Sequence, residues 1–215
     1  MVNLQLVFPE IFLSLSIMFL LILGVFKKKS STLIQNLSLF VLLITAVIIF
    51  NETLGIKQAL LFNNSVIIYY LSSFMKIVIL LAAFLVLVIS SNYLKIFKLF
   101  KIEYPILILS SVLGMMVMIS SNDLIVFYMG LELQSLALYV LATFNRDQLK
   151  SSEAGLKYFV LSALSSGLLL YGCSLVYGFT GSTNFNLIAG QLNADQYALT
   201  FGIVFILVGL AFKIS

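Results

Sequence analysis

Charged side chains within the long apolar stretches of this chain are the first candidates for chemistry. They include Lys76, Glu132, Lys157 and Lys213. A charge at the centre of a membrane-spanning helix costs about 2.5–3.5 kcal/mol on insertion scales, so such residues need a partner or a water-filled cavity and often mark an ion path. One carboxylate and three ammonium groups in this setting predict proton chemistry, in which an acidic and a basic side chain hold and pass a proton.

Glu132 is the most informative of these residues. It lies eight positions into a predicted helix over residues 124–144, at a depth of about 12 Å for a rise of 1.5 Å per residue. Its neighbours three and four positions away on that helix are all uncharged: Tyr128, Met129, Ser135 and Leu136. Its partner must therefore come from another helix, or the carboxyl is protonated at rest. A lysine that approached or withdrew would switch its protonation. The simpler alternative is a neutral glutamic acid bonded to nearby backbone.

Lys213 and Lys76 have no carboxylate close by in the sequence. Lys213 lies fifteen positions into an apolar run over residues 198–215, where a desolvated lysine could carry a proton or could extend toward the membrane surface. Lys76 is also in mid-helix. It could meet Glu132, since both are predicted at similar depth, or it could be structural.

Lys157 has a simpler explanation nearby. Glu153 precedes it by four residues, which is the favourable order for an ion pair on one helix, and Lys157 could also extend its stem to the surface. Further along this predicted helix, pairs of small residues spaced by four predict close helix packing. These pairs are Ser162 with Ser166 and Ala163 with Gly167, with Gly172 and Gly178 continuing the pattern.

The composition sets the class of protein that must position these side chains. Hydrophobic residues make up 62% of the 215 positions and charged residues only 9%, against about 45–50% and 25% in soluble domains. Soluble globular and disordered proteins are therefore excluded, and the alternation of a membrane β-barrel is absent. The sequence predicts an all-α polytopic membrane protein.

The rare residues exclude several kinds of site. There is no His and one Cys, so the chain cannot build an iron–sulfur cluster, a zinc site or a histidine-ligated haem. No GxGxxG or Walker-type loop is present, which leaves nucleotide binding without support. Any redox centres must lie on other chains. The net charge of +4 is a matter of membrane topology and does not indicate nucleic acid.

Seven apolar runs are candidates for membrane-spanning helices. They cover residues 7–26, 33–50, 66–90, 104–121, 124–144, 153–177 and 198–215. They predict a single membrane domain over residues 1–215, in which residues 1–103 supply three helices and residues 104–215 supply the helices with the relay charges. No Lys or Arg precedes the first run, so we expect that the N-terminal segment is not a removable signal peptide. Residues 179–196 are predicted to be a polar loop.

The basic residues between the runs predict the orientation. Eight of nine lie on one side of the predicted membrane, in three loops: Lys27, Lys28, Lys29, Lys95, Lys98, Lys101, Arg146 and Lys150. Only Lys57 lies in a loop on the other side. By the positive-inside rule, the N-terminus is expected outside and the C-terminus inside.

Four short segments share a resemblance to one known family. They are residues 120–124 (SSNDL), 131–136 (LELQSL), 153–159 (EAGLKYF) and 177–181 (YGFTG). As a set they closely resemble subunit 2 of NADH:ubiquinone oxidoreductase, respiratory complex I, an antiporter-like subunit of its membrane arm. The match is strong from residue 104 to residue 215, whereas the first three predicted helices match only in kind.

The resemblance implies a function and a set of site residues. Antiporter-like subunits of this family relay protons through a central chain of charged residues when quinone is reduced elsewhere in the complex. The family's glutamate matches Glu132, the lysine of the EAGLKYF segment matches Lys157, and the lysine of a broken seventh helix matches Lys213. NADH, FMN, iron–sulfur clusters and ubiquinone would be bound by other subunits and none by this chain. No family role carries over to Lys76.

The resemblance also implies partners and a location. The partners would be other membrane-arm subunits of complex I and membrane lipids, without nucleic acid. The family normally has a second, inverted repeat of helices, and this chain matches only the N-terminal half. We therefore expect a split subunit, with a second polypeptide carrying the C-terminal half. A single Arg against eleven Lys suggests an AT-rich organelle genome, and thus the mitochondrial inner membrane, with the N-terminus in the intermembrane space and the C-terminus on the matrix side. A bacterial inner membrane is the alternative.

Two other functions fit the charged helices. The first is a stand-alone cation/proton antiporter subunit, which co-purifying flavin and iron–sulfur subunits would exclude. The second is a purely structural membrane-arm subunit, for which neutralising Glu132 should leave proton pumping intact.

Overall fold

The chain folds into helices joined by short loops and one β-hairpin. The computed structural model describes residues 4–26, 31–53, 58–191 and 197–214, so Lys27, Lys28, Lys29 and Lys57 lie outside the described residues. After a short 3-10 helix, Leu4–Val7, the elements are α1 (Phe8–Phe26), α2 (Ser31–Thr53), β1 (Gln58–Leu61), β2 (Val66–Tyr69), α3 (Tyr70–Ile96), α4 (Glu103–Ile119), α5 (Leu124–Ala142), α6 (Leu149–Thr180), α7 (Phe185–Gln191) and α8 (Tyr197–Ile214).

The fold is that of an all-α polytopic membrane protein, as predicted. Among the described residues, α1, α2, α3, α5 and α6 are long and apolar enough to cross a membrane. The other two predicted spans are α4 and α8, which are apolar but shorter, with 17 and 18 residues. A helix satisfies all of its own backbone hydrogen bonds, which the hydrocarbon interior of a membrane requires.

The helices form two groups with separate cores. The first core lies among α1 to α4 and includes Leu13, Leu20, Ile34, Leu42, Leu80, Leu87, Leu109 and Met116. The second lies among α5 to α8 and includes Leu124, Leu131, Leu169, Cys173, Val176 and Leu199. Glu132 and Lys213 belong to helices of the second group, whereas Lys76 belongs to the first. This division separates the predicted charges into two regions.

The prediction that the third helix begins at residue 66 is wrong. Residues 66–69 form β2, which pairs antiparallel with β1, and α3 begins only at residue 70. The apolar run continues unbroken through both elements, so periodicity could not separate a buried strand from a helix. The turn between the strands places Asn63 and Asn64 at positive φ, 54° and 67°, a conformation that asparagine tolerates better than most residues.

The hairpin fixes one end of the bundle, here called the hairpin end. The backbone N–H of Ile67 donates to the carbonyl of Ser120 at 2.8 Å. The amide groups of Asn122 and Asn184 both donate to the carbonyl of Asn64, at 2.8 and 2.9 Å. The loops before α5 and before α7 are thereby bound to the same turn, and the start of α5 is held in place. The opposite end carries Lys95, Lys98, Lys101, Arg146 and Lys150, and we call it the basic end.

The sixth predicted helix is longer than expected, and the loop after it is partly helical. The helix α6 has 32 residues and ends at Gly181, which adopts φ 66°, the left-handed conformation favoured by glycine at helix ends. The short helix α7 occupies part of the predicted polar loop and buries Ile188. The expectation of a loop over residues 179–196 is therefore wrong for residues 179–180 and 185–191, and it is confirmed for residues 181–184.

Candidate proton-transfer site

The centre of the second helix group holds a direct ion pair. The ammonium nitrogen of Lys213 on α8 lies 2.6 Å from Oε1 of Glu132 on α5. The two side chains are 9% and 20% exposed in the described chain, so both charges are largely removed from solvent. The short distance and the shielding from solvent make this a direct contact between opposite charges in the interior of the helix group.

Counting along the helices places these two residues at different heights, and their charged groups nevertheless meet. From the hairpin end, Glu132 was placed about 12 Å deep and Lys213 about 22 Å deep at 1.5 Å per residue. Both α5 and α8 start at the hairpin end, and helix side chains lean toward the N-terminus of their helix. The four-carbon stem of Lys213 can therefore reach back toward the level of Glu132.

Two serines complete the site. Ser166 on α6 donates its hydroxyl to Oε1 of Glu132 at 2.5 Å, the same oxygen that Lys213 contacts. On the other side of the lysine, the hydroxyl oxygen of Ser135 lies 3.4 Å from the Lys213 ammonium, while the Ser135 hydroxyl donates to the carbonyl of Leu131. The sequence pattern identified Ser166 only as a packing residue. Its hydrogen bond to Glu132 could be found only from the structure, which shows that α5 and α6 face each other.

Close packing of α6 on α8 brings Lys213 to this position. Gly209 lies one helical turn before Lys213, on the same face. A Cβ atom at Gly209 would lie 2.7 Å from Cβ of Leu169 and 2.9 Å from the carbonyl oxygen of Ser165, so only glycine permits this spacing. Gly172 makes a similar approach to α8 nearer the hairpin end, as predicted.

The other half of the predicted packing pattern is not used in the described structure. Ala163 and Gly167 are exposed, and a Cβ atom added at Gly167 or at Gly178 would meet nothing within 4 Å. The small residues of α6 therefore divide between one face that packs and one that does not.

The position of Glu132 depends on how α5 begins and on what it packs against. Asp123 caps the helix, since its carboxylate accepts from the backbone N–H of Ile125 at 2.8 Å and from the Thr183 hydroxyl at 2.5 Å. Two residues before Glu132, Gly130 meets Gly114 of α4, and a Cβ atom on either would lie within 3 Å of the other helix's backbone. These contacts hold α5 in a defined position relative to both α4 and the hairpin end.

A cavity of about 280 Å³ opens beside Lys213. Its lining includes the polar residues Gln134, Ser135, Tyr158 and Ser162 together with apolar residues such as Leu131 and Leu210. This volume is enough for several water molecules. Lys213 therefore contacts Glu132 and also borders a space that contains polar residues.

The structure does not bring Lys157 to this ion pair. Its ammonium lies 2.6 Å from Oε1 of Glu153 one turn earlier on α6, and these side chains are 67% and 56% exposed. The local pairing considered from the sequence is thus present. The next residue, Tyr158, lines the cavity beside Lys213 and contacts the ring of Tyr139 edge to face, with 4.9 Å between ring centres.

Lys76 does not meet Glu132, and that suggestion was wrong. Its ammonium lies 2.5 Å from Oε1 of Glu10 on α1, with the lysine side chain 3% exposed and the glutamate side chain 11% exposed. The sequence does not indicate that Glu10 is buried, because this residue lies near the start of the first apolar run, where a carboxylate is ordinarily at the membrane surface. Among the described residues, no group of His, Cys, Asp or Glu is arranged to hold a metal ion.

Comparisons with known proteins bear on this geometry. The chain is 71% identical over 213 residues to "NADH-quinone oxidoreductase subunit N" of Pelagibacter ubique (strain HTCC1062), covering 99% of this chain and 45% of that protein. Its close homologues are subunit N of NADH-quinone oxidoreductase. The resemblance read from the four sequence segments is thereby confirmed. The chain spans less than half the length of the curated relatives that it matches.

A family model and chains of solved structures also match this chain. The model described as "NADH:quinone oxidoreductase/Mrp antiporter, TM" matches residues 121–215. Respiratory complex I from Thermus thermophilus has a chain of the same fold, with a TM-score of 0.79 and 24% identity, over 95% of this chain and 43% of that one. A chain of the archaeal membrane-bound sulfane sulfur reductase gives a TM-score of 0.81 at 22% identity, over 94% and 43%. At these identities the structures show the fold alone.

The family model separates the two charged regions of the chain. The three residues matched to the family's relay, Glu132, Lys157 and Lys213, all lie within the matched residues 121–215. Glu10 and Lys76 lie outside them. The similarity to subunit N covers 99% of this chain and so extends over the region of Glu10 and Lys76, which the family model does not cover.

Proposed function

We propose that the chain supplies a proton-translocating, antiporter-like part of a respiratory NADH:quinone oxidoreductase. The contact that carries the proposal is the 2.6 Å ion pair between Glu132 and Lys213, buried between helices of a membrane protein whose close homologues are subunit N. Intramembrane ionisable residues of this kind are rare and commonly belong to ion or proton paths. NADH, FMN, iron–sulfur clusters and ubiquinone would be bound by other subunits, and quinone reduction there would drive proton movement here.

The ion pair would act as a switch. With Lys213 in contact, the Glu132 carboxylate is stable without a proton, because the opposite charge compensates for its removal from water. When Lys213 withdraws toward Ser135 and the adjacent cavity, Glu132 is left as an uncompensated buried charge and binds a proton. The return of the lysine expels that proton. One side-chain movement thereby couples an electrostatic signal to proton uptake and release.

Lys157 is proposed as the next carrier on the basis of the resemblance. Its local pair with Glu153 is exposed, and such pairs are worth little, so the lysine is free to leave that partner. The cavity beside Lys213 is lined in part by Tyr158, the residue after Lys157, and by Ser162 and Gln134, whose polar groups would order water molecules for the transfer.

The partners and the location are also proposals. We propose that the chain assembles with other membrane-arm subunits and lipids. Mass spectrometry of the purified complex tests this, since the absence of other membrane-arm subunits would contradict the proposal. The bacterial relatives support the bacterial inner membrane, the alternative drawn from the sequence, and the comparisons bring no support for a mitochondrial location. The basic end would face the cytoplasm and the hairpin end the periplasm.

Replacing Glu132 by glutamine tests the proposed function. Glu132→Gln keeps the size and the hydrogen-bonding capacity of the side chain but removes its titratable group. In membrane vesicles that contain the assembled complex, we expect proton transport coupled to quinone reduction to fall several-fold with assembly intact. The matched control is Glu103→Gln, an exposed carboxylate in the first turn of α4. Full transport in assembled Glu132→Gln complexes would contradict the role and favour a purely structural subunit.

A stand-alone cation/proton antiporter subunit is the second candidate. The description of the matching family model names the Mrp antiporter beside NADH:quinone oxidoreductase, and the charged helices suit both. Affinity purification of the chain from gently solubilised membranes separates the two. Co-purifying flavin and iron–sulfur subunits support the oxidoreductase, whereas cation exchange by a complex without them supports the antiporter.

A further inference from the structure

A second group of buried charges lies in the first helix group, near the hairpin end. Its members come from three helices: Glu10 on α1, Glu52 at the end of α2, and Lys76 on α3. Lys76 contacts Oε1 of Glu10 at 2.5 Å and is 3% exposed. Glu52 and Lys76 line one small cavity, and the charges of both Glu10 and Lys76 act on Glu52. These three residues are called the hairpin-end cluster.

The cluster has one more carboxylate than its cation can neutralise. Lys76 carries a single positive charge, which interacts electrostatically with both Glu10 and Glu52. Other titratable groups beside them are the phenols of Tyr69 and Tyr70, which line the same cavity. The charged residue Lys57 lies outside the described residues. Two carboxylates sharing one site and one cation are not both stable as anions, so one of them retains a proton.

The hydrogen bonds of Glu10 agree with this imbalance. Its second oxygen, Oε2, is buried and has no hydrogen-bond partner among the described residues, although the glutamate is only 9% exposed. A buried ionised oxygen without a donor is costly, so this atom is the natural place for a proton or for a hydrogen bond from water. The cavity nearby, at about 10 Å³, is close to the smallest that holds one water molecule.

We propose that Glu10, Glu52 and Lys76 form a second proton-binding site, distinct from Glu132 and Lys213, which binds one exchangeable proton near the hairpin end. The two carboxylates share that proton, and Lys76 keeps the remaining negative charge neutralised. The proton comes from water at the hairpin end, through the partly exposed Glu52, and returns there, so no redox step is involved. A sodium ion is disfavoured, because the ammonium of Lys76 already occupies the cation position on Glu10.

The simpler arrangement is a permanent ion pair. In that case Glu10 and Lys76 are always ionised and lock α1 to α3, while Glu52 is an independent, ionised surface carboxylate. The two arrangements differ in the number of protonated carboxyls at neutral pH, which infrared spectroscopy detects through the C=O stretch of a carboxylic acid. This readout is independent of proton pumping, so its outcome and that of the test on Glu132 can be distinguished.

The experiment uses the assembled membrane complex that contains this chain, in a Glu132→Gln background that removes any signal from the first site. Spectra of each further variant are subtracted from that background at neutral pH. We expect Glu10→Gln and Glu52→Gln each to remove one carboxylic-acid band, because the remaining carboxylate then pairs fully with Lys76. Glu103→Gln, an exposed carboxylate on α4, should remove none.

Lys76→Met gives a change of opposite sign. Without the ammonium group both carboxyls hold protons, and the band should reach about twice its original intensity. If that variant does not assemble, the two glutamine variants still decide the question. A difference spectrum with no carboxylic-acid band in Glu10→Gln, or a band that persists in Glu52→Gln, overturns the proposal in favour of the permanent ion pair.

Discussion

Ser166 and Lys213 donate to the same oxygen atom of Glu132 from two different helices. The hydroxyl of Ser166 lies 2.5 Å from Oε1 and the ammonium of Lys213 lies 2.6 Å from it. In the proposed switch, Ser166 on α6 keeps the carboxylate in its place when Lys213 withdraws. The neutral donor positions the group, and the charged donor balances its negative charge.

Ser166→Ala should therefore reduce proton transport without abolishing it. A hydrogen bond to a charged group contributes about 1.5–3 kcal/mol, so its loss leaves the ionised carboxylate less stable and slows proton release. We expect a several-fold decrease in the rate of proton transport per quinone reduced, measured in vesicles. The control is Ser91→Ala on α3, whose exposed hydroxyl only donates to the carbonyl of Val88. Equal transport in both variants would mean that the Ser166 contact has no role in the switch.

Glu132 and Lys213 should be strongly coupled in stability. Removing one partner of a buried ion pair leaves an uncompensated charge and typically costs about 3–5 kcal/mol, whereas removing both can be nearly neutral. We expect Glu132→Gln and Lys213→Met each to lower the thermal stability of the assembled complex, and the double variant to recover most of the loss. Transport should stay low in all three. Additive losses in the double variant would contradict direct pairing.

Gly209 should be more sensitive to substitution than Gly167. In Gly209→Ala the added methyl group would lie 2.7 Å from Cβ of Leu169, so α8 must move away from α6 and carry Lys213 with it. We expect a loss of stability of about 1–3 kcal/mol, as for other overpacked sites, with reduced transport. Gly167→Ala on α6 meets nothing within 4 Å and should be neutral or slightly stabilising. Thermal unfolding of both variants checks this, and equal stabilities would show that the helix spacing is not set at Gly209.

The central part of the site could be predicted because individual charged residues within apolar runs indicate it. A carboxylate and a lysine far from any local partner stand out in apolar runs, and Glu132 and Lys213 were identified in this way. Ser166 could not be identified as a ligand of Glu132, because a small polar residue on a helix has the same pattern whether it packs or donates a hydrogen bond. That distinction depends on which face of α6 meets α5.

The hairpin and the Lys76 pairing show a different limit. The strand Val66–Tyr69 and the helix that follows it are both apolar, so a prediction from hydrophobicity alone extends the helix over the strand. Glu10 lies only three residues into α1, where the membrane surface would ordinarily account for it. Its burial follows from the packing of α1 against α2 and α4 and from its contact with Lys76 of α3, none of which local sequence spacing can predict.

Lys157 decides how far the proposed relay extends. Its pair with Glu153 is exposed and lies on one helix, and such pairs contribute about 0.3–0.5 kcal/mol. Glu153→Gln and Lys157→Met should therefore both leave thermal stability nearly unchanged. The rate of proton transport should distinguish the two variants. If the lysine carries a proton, Lys157→Met lowers proton transport several-fold, while Glu153→Gln, which only frees the lysine, does not.

The matched control for this test is Lys150→Met, which removes an exposed lysine from the first turn of the same helix. Because all three variants alter the surface charge at the basic end, any general electrostatic effect should appear in Lys150→Met as well. Transport is measured in vesicles at low and at high salt, since exposed charges are screened by salt whereas a relay residue is required at both. Wild-type transport in Lys157→Met would restrict the proton switch of this chain to Glu132 and Lys213. A loss seen only with Lys157→Met, and unchanged by salt, would extend it through the cavity lined by Tyr158 to the basic end.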